Sequence, residues 1–376
     1  MILDPLSLPL RPSEANELAN LVFELAERRP LTQEIRTRIA SRAAVLKLET
    51  LHPHLGSLVR DPVHHSTYYV AVDVSHGPPL LLHMALSTAP TSSIFQKPLL
   101  IGRMRRAAGQ EIVINAVPFS PADLGLLAKF TADVDEALAP KVQGARAAIV
   151  AAPVPAAFDA FRSILKRTGR NLAAIEMTGA EFDTGLYHAV RAGWREGYSA
   201  GVAIAADSAD RQTIQSLARF TRFRLETSAL SHEGVDEGDR FRGALLACEQ
   251  AHEWIRQARA TTRAGRAFDF DAALPVASAV ELQFCLDWLK RRGHPPQLVS
   301  PGPIAAEGFE AEVGQMAAVA RQFSCQLSFD TGSNGSRLES IARAAAGRVN
   351  FRVTRPPSDD AEYSQYLTGL ADILLA

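Results

Sequence analysis

Between residues 145 and 354 the sequence repeats one pattern eight times, a short apolar run followed by a stretch with helical spacing. The runs lie at 147–154, 172–177, 201–207, 223–228, 267–273, 297–300, 326–332 and 349–354. Eight strands alternating with helices favour a (β/α)8 barrel, a fold that usually takes ~250 residues. A doubly wound open sheet is the alternative, although no Gly-x-Gly-x-x-Gly follows a strand. We therefore predict an α/β fold with a TIM barrel over residues 111–376.

The first 110 residues have a different pattern. Apolar residues recur at helical spacing after Ser13, a candidate N-cap, and again after Thr32. Two strand-like runs, 67–74 and 80–86, flank the turn residues of His76-Gly77-Pro78-Pro79, which indicates a hairpin. Two helices and a hairpin predict a small α+β cap over residues 1–110.

Composition excludes several classes of protein. Forty basic residues against 41 acidic ones give a formal charge of -1, which argues against nucleic acid or an anionic membrane as partner. Cys248, Cys285 and Cys325 are too widely spaced for a disulfide framework or a Cys-x-x-Cys metal site. We find no signal peptide and no run near the ~18 apolar residues of a membrane span. We expect a soluble protein of the cytoplasm, and the sequence is compatible with a homo-oligomer.

Acidic side chains interrupt the apolar runs near their ends. They are Glu176, Asp207, Glu226, Asp269, Asp271 and Asp330. In a TIM barrel the carboxyl ends of the strands carry the active site, and carboxylates that converge there repel one another unless a cation lies between them. Oxygen ligands favour Mg²⁺ or Mn²⁺ over Zn²⁺. Candidate metal ligands are therefore Asp330, Asp271 and Glu226, and candidate acid or base groups are Asp271 and Asp207.

The alternative is that each acid pairs with an arginine or accepts backbone N–H groups at the barrel rim. This interpretation suits Glu226 best, because Arg222 and Arg224 are close to it in sequence. His232 follows the fourth predicted strand, and it is either a ligand or proton carrier or an ordinary loop residue.

The turn Thr331-Gly332-Ser333-Asn334-Gly335-Ser336 follows the seventh predicted strand. Its small residues would let backbone N–H groups approach an anion such as a phosphate or a sugar-acid carboxylate, although a simple tight turn is the alternative. The two lysines of the barrel region, Lys166 and Lys290, lie late in predicted helices. Schiff-base chemistry therefore has no candidate nucleophile, and no nucleotide cofactor is expected.

Several stretches of the second half carry a family resemblance. They are 267–271 (AFDFD), 281–293 (ELQFCLDWLKRRG), 298–301 (LVSP), 308–310 (GFE) and 327–333 (LSFDTGS). In order and spacing they resemble the tagaturonate/fructuronate epimerase family of TIM-barrel enzymes over residues 190–355. The resemblance implies metal-dependent epimerisation of a hexuronate in sugar-acid catabolism. It also implies site positions at Asp271, Gly332 and Ser333, with Asp330 as a substituted one.

The chain also departs from the pattern of that family. It contains no Asp-His dipeptide, Asn334 and Gly335 replace an Asp and a Lys, and the run that starts at Arg352 replaces a Lys-Thr-Ala-Gly-like run. Two hypotheses follow. The first is a sugar-acid epimerase, with Gly332, Ser333, Asn334 and Arg352 as substrate-binding residues. The second is a non-catalytic barrel that binds a sugar acid or a partner protein.

Overall fold

The computed structural model describes residues 8–89, 98–230, 237–262, 265–354 and 356–376. The chain forms two compact units. The first comprises Met1–Ala139 with Leu186–Glu196, and the second comprises Pro140–Gly185 with Gly197–Ala376. Among the described residues, no helix combines the length and the apolar character needed to cross a bilayer.

The first unit is an α+β unit built on a five-stranded antiparallel sheet. Its strands are β1 (Leu51–Arg60), β2 (Thr67–Val74), β3 (Leu80–Leu86), β4 (Leu99–Arg105) and β5 (Glu111–Pro118), in the order β1-β2-β3-β5-β4. Its helical segments are Pro12–Ala26, Gln33–Ala43, Leu124–Lys129, Phe130–Val134 and Glu136–Leu138. The predicted hairpin is confirmed as β2 and β3. The boundary predicted at residue 110 falls next to β5, which belongs to this sheet.

The two long helices pack on one face of the sheet. Leu18 and Val22 of the first helix share a buried core with Tyr68, Leu82 and Ile114 of the strands. The second helix begins as predicted, because the Thr32 hydroxyl accepts the backbone N–H of Ile35 at 3.3 Å. The first helix begins earlier than predicted, at Pro12, because proline at the first helical position needs no hydrogen-bond partner for a backbone N–H.

The second unit is a closed parallel barrel. Its strands are β6 (Ala148–Ala151), β7 (Ala173–Glu176), β8 (Ser199–Ala205), β9 (Arg222–Glu226), β10 (Asp269–Ala273), β11 (Leu298–Ser300), β12 (Gln326–Asp330) and β13 (Val349–Arg352). The helical segments that follow the strands are Pro155–Thr168, Gly179–Glu181, Phe182–Ala192, Arg211–Ser216, Ser228–Leu230, Glu237–Arg240, Arg242–Ala260, Ala279–Arg291, Phe309–Gln322, Thr331–Asn334, Gly335–Arg337, Leu338–Ala344 and Asp360–Leu375.

Each of the eight apolar runs overlaps one barrel strand. The last strand pairs with the first, with Asn350 opposite Ala148 and Arg352 opposite Val150. This pairing closes the barrel and leaves no sheet edge. The predicted TIM barrel is therefore confirmed, and the open doubly wound sheet is wrong.

The interior of the barrel is unusually polar. Strand side chains alternate between the two faces, so Arg222, Arg224 and Glu226 of β9 share one face, and so do Asp269 and Asp271 of β10. Both arginines and both aspartates are buried. Buried charges at these positions need partners inside the barrel, and those partners define the candidate site.

Candidate functional site

A fully buried ion pair lies in the middle of the barrel. Asp271 is 0% exposed, and Arg222 donates to its Oδ2 at 2.6 Å. Arg224 Nη1 lies 3.6 Å from the same oxygen, and the Ser300 hydroxyl donates to Oδ1 at 3.2 Å. Burial alone would raise the pKa of Asp271, but the two guanidinium groups outweigh burial and hold that pKa below its ordinary value. The protein's own cations therefore neutralise this carboxylate.

Arg352 occupies the carboxyl end of the barrel. It binds both oxygens of Asp330, Nε to Oδ1 at 2.5 Å and Nη2 to Oδ2 at 2.9 Å. Its Nη1 donates to Glu176 at 3.0 Å and lies 3.6 Å from Glu226. Burial would lower the pKa of Arg352, but the bonds to Asp330 and Glu176 raise it above the ordinary value. Arg352 is therefore a fixed cation among three carboxylates.

Arg224 connects the two clusters. It is buried, and its guanidinium donates to the Glu226 carboxylate and to the Ser300 hydroxyl. Burial would lower the pKa of Arg224, but Asp271 and Glu226 raise it. Acidic and basic side chains therefore alternate through the interior from Asp271 to Asp330. Asp271, Glu226 and Asp330 each pair with an arginine.

The predicted metal ligands do not surround a common point. The oxygens of Asp271 face arginines and Ser300, whereas those of Asp330 face Arg352. In the part of the chain that the structure describes, no three His, Cys, Asp or Glu side chains are grouped as ligands of a metal ion. A divalent metal would have to displace guanidinium groups from these carboxylates, so the residues as placed do not fit one.

A cleft of about 320 Å³ opens beside this network at the ends of β9, β11 and β12. Its polar lining comes from Arg224, Ser300, Ser328, Asp330, Asn334 and Arg337, and Ile304 and Phe309 contribute apolar surface. Ser328 is 1% exposed, and its hydroxyl has no hydrogen-bond partner among the described residues. The cleft therefore offers a buried hydroxyl that can bond a ligand.

Arg337 is the second cation of the cleft. Its guanidinium carbon lies 4.5 Å from the centre of the Phe309 ring, a cation–π contact that orients the planar group. No carboxylate of the described residues lies within ion-pair distance of Arg337, so the guanidinium can accept a carboxylate from a ligand.

A second cavity of about 670 Å³ lies at the ends of β6, β7 and β8. Glu176, Thr178, Glu181 and Ser208 contribute polar groups to it. Thr178 and Glu181 form a capping box, with bonds of 2.8 and 2.9 Å from the Thr178 N–H and hydroxyl to Glu181. These two side chains satisfy each other. The Ser208 hydroxyl donates to Asp207 and the Ser216 hydroxyl donates to the Thr213 carbonyl, so these groups of the cavity are already bonded.

The other predicted site residues are less central. Asp207 lies exposed in the turn after β8, accepts the Ser208 hydroxyl at 3.0 Å, and lines neither cavity. His232 lies outside the described residues. Asp271 is fully buried and does not line the cleft, but it contacts Arg224 and Ser300, which do.

The predicted anion-binding turn folds into two short helical segments. The Gly332 N–H donates to the Thr354 hydroxyl at 3.2 Å, and the Asn334 side chain donates to the Asp330 carbonyl at 3.0 Å. Gly335 has φ -49°, within the range of any residue. Ser333 and Asn334 line the cleft with their side chains.

Sequence reasoning missed three cleft residues. Ser328 precedes Asp330 by two positions on β12, so strand alternation could have placed both on one face. Ser300 ends β11 and could have been found at a strand end in the same way. Arg337 ends a short helical turn, and nothing in the sequence indicates that this turn places its side chain in the cleft.

Neither a protein-family model nor a curated protein sequence matches the chain. Solved structures of fructuronate-tagaturonate epimerase UxaE from Cohnella laeviribosi do match it. The form with two glycerol molecules superposes with a TM-score of 0.61 at 15% identity, covering 91% of this chain and 89% of that one. The native form gives 0.60 at 14% identity with the same coverage. The resemblance expected from the sequence is therefore confirmed, and at this identity it concerns the fold.

Proposed function

We propose that this barrel acts on a sugar acid of hexuronate size, held in the cleft between Ser300 and Arg337, as an epimerase-type enzyme. The observation that carries the proposal is the composition of the cleft. The Arg337 guanidinium, which has no carboxylate partner among the described residues, shares the cleft with three serines, an amide and a carboxylate.

The cleft suits a hydroxylated carboxylate. Arg337 can bind a carboxylate through two parallel N–H bonds, and stacking on Phe309 fixes the plane of its fork. Ser328, Asn334 and Asp330 can bond the hydroxyls of a sugar chain. A volume of about 320 Å³ is near the lower end of small-molecule sites, which suits a monosaccharide.

The same residues support a reaction. Epimerisation beside a carbonyl, or by retro-aldol cleavage, needs a group that takes a proton and a cation that stabilises the oxyanion. Asp330 is the proton acceptor of the cleft, and Arg224 is the buried cation that faces it. Asp271 keeps Arg224 in place through the ion pair below it.

One observation favours a second candidate function, a barrel that binds the sugar acid without converting it. Both oxygens of Asp330 are bonded to Arg352, which lowers the basicity of the carboxylate. In this alternative the charged network positions a ligand and has no proton to move.

Calorimetric titration with galacturonate, tagaturonate and galactose tests the cleft. We expect Arg337→Gln to weaken the binding of both acids more than tenfold, whereas galactose binds poorly to either protein. The control is Arg211→Gln, at the other side of the barrel, where Arg211 contacts Gln257. Equal affinities of wild type and Arg337→Gln for the acids would refute the assignment of the cleft.

Turnover separates the two candidates. Incubation of the protein with tagaturonate, followed by NMR, should show an epimer that Asp330→Asn does not form. Tight binding without a product would select the non-catalytic barrel. A melting temperature that Mn²⁺ or Mg²⁺ raises in wild type but not in Asp330→Ala would select metal-dependent chemistry instead.

A further inference from the structure

A further cavity lies at the opposite, amino end of the barrel, away from the cleft. It is an open groove of about 1260 Å³ at the starts of β12, β13, β6 and β7. Active sites of TIM barrels lie at the carboxyl ends of the strands, so a ligand in this groove would be separate from the proposed reaction.

The strand register brings three arginines side by side in this groove. Leu327 pairs with Val349, Asn350 with Ala148, and Ile149 with Ala173. Continuing each register beyond the strand starts brings Gln326 of β12 level with three arginines. They are Arg348, Arg146 and Arg170, which lie one, two and three residues before β13, β6 and β7. Neighbouring strands are ~4.8 Å apart, so each arginine begins close to the next.

Four arginines and two acidic side chains, Glu339 and Asp372, line the groove, so its described side chains carry an excess of positive charge. Asp372 is paired with Arg167 at 2.5 Å, and Arg343 of the groove is paired with Glu310 at 3.4 Å. Among the described residues, Arg170 and Arg348 are exposed and have no carboxylate within ion-pair distance. Like charges at this spacing repel, and an anion between them would relieve the repulsion.

Arg146 is the middle arginine of the row. Its Nε donates to the Gln143 side chain at 3.0 Å. Asp269 is the acid whose negative charge acts on the Arg146 guanidinium. The Asp269 carboxylate already accepts the backbone N–H groups of Gln143 and Gly144, both at 2.9 Å. The terminal nitrogens of Arg146 are therefore available to a ligand.

Gln326 adds an independent sign of a ligand. It lines the groove beside Arg348, is 6% exposed, and its Oε1 has no hydrogen-bond partner among the described residues. A buried acceptor without a donor destabilises the fold, and a ligand hydroxyl would satisfy it.

We propose that this groove is a second binding site, for a small oxyanion that carries at least two negative charges and a hydroxyl group. The guanidinium groups of Arg146, Arg170 and Arg348 bind the charged oxygens, and Gln326 accepts the hydroxyl. Phosphate esters and hydroxylated polycarboxylates share this chemistry. The proposal does not depend on the function of the cleft.

Calorimetric titration at low salt with ribose 5-phosphate, citrate and ribose tests the site. At least one of the two anions should bind, and ribose should not. Arg170→Gln with Arg348→Gln should weaken that binding more than tenfold. The matched control is Arg28→Gln with Arg38→Gln, which removes the same charge from exposed arginines of the first unit.

The comparison of the two anions identifies the class of ligand. Tighter binding of ribose 5-phosphate would indicate a site for phosphate esters, and tighter binding of citrate would indicate a site for polycarboxylates. Gln326→Leu should weaken the bound anion several-fold, and an unchanged affinity would overturn the role of Gln326. Failure of both anions to bind wild type, or equal weakening in the control pair, would overturn the site. If Arg337→Gln abolished the binding and the groove variants did not, the anion would bind in the cleft and the proposed groove site would be wrong.

Discussion

Replacement of Asp271 by Asn tests whether the buried arginines depend on this carboxylate. The substitution keeps the volume of the side chain and removes its charge. Arg222 and Arg224, which are 3% and 5% exposed, would then share no ionised partner at the centre of the barrel. Breaking a buried ion pair by removing one partner costs roughly 3–5 kcal/mol, because the remaining charge stays desolvated. We expect the free energy of unfolding to fall by that amount.

Urea denaturation followed by circular dichroism at pH 7 measures this loss. The double variant Asp271→Asn with Arg222→Met should be more stable than Asp271→Asn alone, because it also removes the buried guanidinium that has lost its carboxylate partner. The folded-state pKa of Asp271 lies below its ordinary value of 3.8, so the carboxylate contributes stability above that pH. The contribution disappears as the pH falls through the folded-state pKa, and the gap between wild type and variant should shrink there. A loss below about 1 kcal/mol at pH 7 would refute the reasoning, since surface pairs cost that little.

Two further predictions concern stability. A Cβ on Gly193, which has φ +65°, would lie 2.1 Å from the Gly56 carbonyl oxygen, so Gly193→Ala should cost more than about 2 kcal/mol in urea denaturation. Gly169 has φ +68° with open space around it, so Gly169→Ala should cost only about 1 kcal/mol, and equal losses would contradict the clash. Burial lowers the pKa of His83 to about 4 in the folded chain. Below pH 6.5 the unfolded chain therefore binds a proton that the folded chain does not bind, and the free energy of unfolding falls as the pH drops from 6.5 toward 4. Between pH 7 and pH 5 wild type should lose roughly 2 kcal/mol more than His83→Gln, and parallel pH profiles would contradict this.

The barrel could be predicted because its strands are covered on both faces. Parallel strands of this kind form largely apolar runs, and such a run overlaps every barrel strand, although β9 (RFRLE) and β10 (DFDAA) also carry charged residues. Strand β1 has no such run, because His52, Pro53, His54 and Gly56 interrupt it. Strand β4 is an edge strand with largely exposed side chains, so its pattern resembles that of a loop.

The candidate site could be predicted in part. Glu176, Glu226 and Asp330 end their strands, so the direction of the strands places them at one end of the barrel. Repulsion among them does not say which cation separates them. Strand alternation places Arg222 and Arg224 on the face of Glu226, and that pattern favoured arginine for this acid. The partner of Asp330 could not be read in this way, because Arg352 lies 22 residues away and reaches it only through the pairing of β12 with β13.

A guanidinium group in the place of an exchangeable cation has consequences for binding. Arg352 is bound covalently to the chain, stays charged at every physiological pH, and contacts the carboxylates of Asp330, Glu176 and Glu226. The three arginines of the network, Arg222, Arg224 and Arg352, face four carboxylates, so the network carries one net negative charge and does not itself attract a sugar acid. The carboxylate of the sugar acid gains from Arg337, the cation that no acid of the described residues balances, and its hydroxyls gain from Ser328 and Asn334. Selectivity for acids over neutral sugars should then depend on Arg337 far more than on the network behind it.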